Sequence, residues 1–151
     1  MKTHTFLKVM ESRFQGTRRM IAAIPSEKLD FRPTPDMRSA RELALHLMGN
    51  YSFLLAGMAE NNWSLEAFKT NGGHLKTNDL VSNFDALYKT AKEKLSSFPD
   101  QAFELRVKPF GVEQKISTIV QGVAEHEIHH RGQLSVYLRL MGIKPPEPYG
   151  E

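Results

Sequence analysis

Four stretches of this chain repeat apolar residues at helical spacing, and proline or glycine closes each of them. That pattern constrains the fold more than any other feature. The first stretch, residues 3 to 24, carries Phe6, Leu7, Met10, Phe14, Ile21 and Ile24. Pro25 ends it, and "PSEKLDFRPTPDM" holds three prolines, so no further helix is expected before about Ser39. "SARE" at 39–42 is a capping-box pattern, in which Ser39 and Glu42 each satisfy a backbone N–H of the other.

The second stretch, about 40 to 60, sets Leu43, Leu47, Tyr51 and Leu54 on one face, with His46, Asn50 and Phe53 alongside. "NNWSLEAFKTNGGHLKTND" is then a connection with a Gly-Gly break and room for one helical turn. The third stretch, about 79 to 97, is expected to be capped by Asn78 or Thr77. It turns Leu80, Phe84, Leu87, Ala91 and Leu95 inward and is stopped by Pro99. "AFELRVKPFGVEQKIS" alternates briefly around "FELRV" before a Pro-Phe-Gly turn, which suits a small hairpin or an extended crossover.

The last stretch begins at Ser117 and carries Ile119, Val120, Val123, Leu134, Tyr137, Leu138 and Met141. Gly142 is a natural C′ residue, and "KPPEPYG" cannot continue a helix. Four long helices with one or two longer crossings predict an all-α four-helix bundle. A length of 151 residues suits one domain with one core.

Composition narrows the function classes. The 20 basic and 17 acidic residues leave a formal charge of +3, spread along the chain. "GTRRM" and "KTAKEK" read as solvated helix faces, so no nucleic-acid partner is expected. No apolar run reaches the roughly 18 residues of a membrane span, and the start lacks the apolar core of a secretory signal. A cytoplasmic location with no membrane partner is the expectation. There is no cysteine, so a transition metal would need His, Asp or Glu, and any thiol chemistry would need a thiol supplied from outside.

"AEHEIHHRGQ", residues 124–133, concentrates three of the six histidines within five positions. At about 100° per residue, His130 lies about 40° from His126 and one turn along, on the same face. His129 stands about 60° to the other side, and Gln133 returns close to His126. Glu125, Glu127 and Arg131 point to the side or away. The letters also satisfy H-E-x-x-H at 126–130, in which Glu127 would be the general base of a metalloprotease. Nothing downstream completes that pattern.

His46, mid-helix among leucines, is a candidate third ligand for the His126/His130 pair. Three neutral imidazoles leave a metal its full charge and at least one open position, as in a catalytic site. Zinc, nickel or iron suits such nitrogen ligands. His129 and Gln133 are candidates to orient the ligand rings. Gly132 costs a helix about 1 kcal/mol relative to Ala, which close helix packing would explain. His4 and His74 are given no role.

"ELALHLMGN" followed by "HEIHHRGQLSVYLRLMGIKPPEPYG" closely resembles the DinB (damage-inducible) family and its wider DinB/YfiT-like metalloenzyme superfamily. The resemblance runs through the whole chain, and "HHRGQ" followed by "YLR" and "G" is its most specific part. It implies an up-down-down-up four-helix bundle with long crossover loops, often a homodimer. It also implies a divalent metal held by His46, His126 and His130. Superfamily enzymes use low-molecular-weight thiols, some as S-transferases and some as isomerases, and many members have no established activity.

Two readings follow. In the first, the three-His metal site activates a thiol or water for attack on a small electrophile, as a transferase or hydrolase. His129, Gln133 or Glu127 would then handle protons, and Phe53, Trp63, Phe110, Tyr137 and Tyr149 are candidate pocket aromatics. In the second, the chain is a non-catalytic, stress-related homodimer whose histidines hold a structural metal or form a polar cluster. An open position and a roomy mouth separate the first reading from the second.

Overall fold

The computed structural model describes residues 1–147, and four helices dominate it. They are α1 (Thr3–Ala22), α2 (Ala40–Glu60), α3 (Thr77–Leu95) and α4 (Ile116–Leu140). The spans follow the apolar repeats closely. α1 and α2 each pack against both α3 and α4. The buried faces meet in one core, where Phe14 stacks on Tyr88 with ring centroids 3.8 Å apart. Tyr51 packs edge-on against Phe14, and Phe84 edge-on against Tyr51. Among the described residues no helix is long and apolar enough to cross a membrane.

The helix ends show why the chain turns where it does. The Glu42 N–H donates to Ser39 Oγ at 3.1 Å, and the Ser39 N–H donates to Glu42 Oε2 at 2.7 Å, completing the capping box of α2. Gly142 takes a left-handed φ of 81° after α4, and the Ile143 N–H reaches back to the Leu138 carbonyl at 2.9 Å. This closes the helix as a Schellman motif, a conformation that favours glycine.

α3 departs from expectation at two points. Its N-cap is Lys76, not Asn78 or Thr77. The Asp79 carboxylate accepts from the Lys76 N–H, while the Thr77 hydroxyl donates across to the Ile24 carbonyl at 2.7 Å, tying α3 to the end of α1. In the core, Tyr88 takes the inner place and Leu87 is left half-buried at the edge.

Between α3 and α4 a small hairpin forms, β1 (Arg106–Val107) against β2 (Gln114–Lys115), antiparallel with Arg106 opposite Lys115. Its tip carries the Pro-Phe-Gly turn. "FELRV" is only partly extended, because Asp100–Glu104 closes as a 3-10 turn that buries Phe103. The expected helical turn in the second connection is present as Leu65–Phe68. These two connections, not the helices alone, complete the walls of the site.

Candidate metal centre

His46 comes from the second turn of α2, and His126 and His130 come from successive turns of α4. Packing of α2 on α4 brings the three rings together. Nε2 of His46 stands 3.0 Å from Nε2 of His126 and 3.2 Å from that of His130. The His126 and His130 Nε2 atoms are 3.0 Å apart. Two nitrogens each about 2.1 Å from one ion stand roughly 3.0–3.4 Å apart for angles between square and tetrahedral. The cluster can therefore hold a divalent metal ion.

The protons on these rings sharpen that point. Nδ1 of His126 lies 2.9 Å from Oδ1 of Asn50, and Nδ1 of His130 lies 2.6 Å from Oε1 of Gln133. Amide oxygens only accept, so each Nδ1 carries the proton and each Nε2 presents a lone pair. In that tautomer the two Nε2 atoms, 3.0 Å apart, can share one cation. A metal ligand anchored through its other nitrogen is the usual arrangement of histidine metal sites.

The surroundings keep the rings neutral. Burial pushes the His46 imidazole down to about 4, helped by the positive charge of Arg38 and by the other two rings. Burial also lowers His126 to about 4, with His130 and His129 adding to the effect. His130 is lowered mainly by burial, against an opposing hydrogen bond to Gln133. All three are thus available as neutral donors near pH 7 without losing a proton first.

The remaining histidine of the stretch, His129, is exposed beside His130, with ring centroids 4.8 Å apart and outside the converging set. His4 sits on the surface against the Thr5 hydroxyl, and His74 is exposed in the second connection. Asn50 is the orienting residue that sequence reasoning passed over. It lies four residues after His46, on the same face of α2, and that spacing was the available signal.

Glu127 does not serve as the base of an H-E-x-x-H site. It lies about 100° round α4 from His126 and is only 4% exposed. Its Oε1 accepts from the Thr17 hydroxyl at 2.6 Å and from the Tyr51 hydroxyl at 3.0 Å. Burial raises its pKa, and these two donors partly offset the shift. Arg131 is buried on the same side and donates to the Arg13 carbonyl. Glu127 and Arg131 therefore tie α4 to α1 rather than standing off to the side.

Gly132 is not a close-packing position either: a Cβ there would meet nothing within 4 Å. The tight approaches are at Gly49, where a Cβ would lie 2.4 Å from the Phe68 carbonyl oxygen, and at Gly57 under the Trp63 ring. They seat the second connection directly on α2.

A cavity of about 410 Å³ opens onto His46 and His126. Phe53 and Phe110 line it, as does Phe68, which was not singled out from the sequence. Trp63 instead backs the wall from behind, edge-on to Phe53 at 5.6 Å. Tyr137 is buried on the other side of the site and donates to the Arg38 carbonyl at 2.9 Å. Tyr149 lies outside the described residues.

A model of the DinB family matches residues 1–151. The chain belongs to the DinB family. The uncharacterized protein YjoA of Bacillus subtilis is 27% identical to this DinB-family chain over 133 residues, spanning 83% of it and 82% of YjoA. The crystal structure of a DinB-like protein (YjoA) from Bacillus subtilis superposes with a TM-score of 0.79 at 21% identity, covering 97% of this chain and 99% of that one. A DinB-like protein from Bacillus cereus gives a TM-score of 0.77 at 20% identity, covering 94% of each chain. At these identities the structural likeness is one of fold.

Proposed function

We propose that this DinB-family protein is a metal-dependent enzyme in which His46, His126 and His130 hold one divalent ion. Its reaction is attack of a thiol or water on a small electrophile, transferase-like or hydrolase-like. The observation that carries this reading is the convergence of the three Nε2 atoms at 3.0–3.2 Å, two of them held as acceptors by Asn50 and Gln133. A bound zinc, nickel or iron ion would supply Lewis-acid chemistry, lowering the pKa of a thiol or water beside it.

The chain's own groups set the rest. Asn50 and Gln133 fix the ring orientations, and the phenylalanine wall limits water on the cavity side. Glu127 is committed to Thr17 and Tyr51 and Gln133 to His130, so His129, exposed beside His130, is the proton-handling candidate that remains. A cavity reaching two of the three histidines supports the catalytic reading over a closed structural site.

The fold reading that goes with this is the up-down-down-up bundle. A homodimer has a candidate face on α4, where Ile128, Val136 and Leu140 are exposed along one winding stripe with Gly132 between them. The test of function is turnover of the metal-loaded protein with 2-mercaptoethanol or water against a panel of small electrophiles. Turnover lost in His126→Ala supports the enzyme. A fully metal-loaded protein inert across the panel contradicts it.

A further inference from the structure

We infer that the cavity beside the histidines is a binding site for an uncharged aromatic small molecule, with the molecule's polar end toward His46 and His126. The inference rests on the proposed metal site only for that orientation. The wall itself is built without reference to a metal.

Three phenylalanines from three different elements meet there: Phe53 from α2, Phe68 from the short turn of the second connection, and Phe110 from the hairpin tip. Phe68 stacks on Phe53 at 4.3 Å and 17° between planes. Phe110 lies nearly parallel to Phe53 at 5.6 Å and 14°. The other named lining groups are apolar, or neutral in the case of Gln114 and Thr118. No Lys, Arg, Asp or Glu lines the cavity among the described residues. In the metal-free protein a ligand bearing carboxylates would lose hydration there with no charged side chain on the wall to replace it. A flat neutral ring would gain stacking and dispersion contacts along the wall.

Phe110 also sits in an uncommon conformation for an aromatic residue, φ 57° and ψ 24°, in the left-handed region. It is 53% exposed, yet its ring is aligned with buried Phe53. Strain of this kind collects where a side chain is held for a ligand. Across the cavity, α4 presents Gly122, where a Cβ would meet nothing within 4 Å. That missing side chain keeps the space open.

The test uses the neutral fluorescent probe N-phenyl-1-naphthylamine on metal-free protein. We expect a saturable emission increase at one site. Benzyl alcohol should displace the probe and mercaptosuccinate, an anionic thiol, should not. Gly122→Leu should weaken probe binding at least tenfold by filling the cavity, and Phe110→Ala about fivefold, with circular dichroism unchanged. Unaltered probe affinity in Gly122→Leu, or equal displacement by mercaptosuccinate, overturns the inference. Cobalt(II) uptake is measured in parallel. Cobalt bound with no probe site removes the aromatic site and leaves the metal site standing. A probe site with no cobalt bound does the reverse.

Discussion

At the residue scale, the site depends on groups that no ion would touch directly. Asn50 and Gln133 hold His126 and His130 by their Nδ1 protons. Asn50→Leu and Gln133→Leu are each expected to weaken zinc binding by about 10- to 100-fold while the helices stay formed, measured by chelator competition. Glu127 sets a different kind of demand. Its carboxylate is buried between the Thr17 and Tyr51 hydroxyls and has its pKa raised by burial. Tyr51→Phe should cost about 1–3 kcal/mol in urea unfolding, since a buried acceptor loses a donor. Because the folded-state pKa is raised, ionising Glu127 weighs against the fold as pH rises above the ordinary carboxyl value. The Tyr51→Phe deficit should therefore grow as pH rises from about 4 and the carboxylate takes up its charge. That His126, His130 and Gln133 share one helix face was legible from the 3.6-residue period. The role of Glu127 was not, because one helix's geometry says which way a side chain points but not what waits there.

At the scale of elements, the helices were legible because each apolar repeat is long and each ends in a residue with a clear backbone reason. Ser39 with Glu42 and Gly142 show this at their two ends of the chain. Caps that use distant residues left no local trace. α1 has no Ser, Thr, Asp or Asn at its N-cap. Its Thr3 N–H instead donates to Asp100 Oδ1 at 2.7 Å, from the far side of α3. That hydrogen bond, with the Lys2 side chain at 3.1 Å, holds the Asp100 carboxyl down to about 2. A depressed carboxyl contributes stability that is fully present above its ordinary value and is lost as pH falls through about 2. Wild type and Asp100→Asn should thus differ by a constant amount in thermal denaturation above about pH 5, and the difference should shrink from about pH 4 downward. The Gly49 and Gly57 approaches were equally invisible, since the residues they admit, Phe68 and Trp63, come from a loop whose path the sequence does not specify.

At the scale of the whole molecule, the bundle brings α2 and α4 together along the faces that carry His46 and the His126/His130 pair. The two connections after α2 and α3 then complete the cavity. The outer face of α4 leaves Ile128, Val136 and Leu140 exposed. Val136→Arg is expected to shift a dimer to monomer in light scattering, without changing the helical circular-dichroism signal. A wild-type monomer at micromolar concentration would contradict that face. The central claim is the three-His centre, and its direct test is metal content by mass spectrometry of wild type, His46→Ala, His126→Ala, His130→Ala and His129→Ala. The geometry predicts near-stoichiometric metal in wild type and His129→Ala, and loss in each of the other three. Metal retained in His130→Ala but lost in His129→Ala, or no metal in folded wild type, would contradict it.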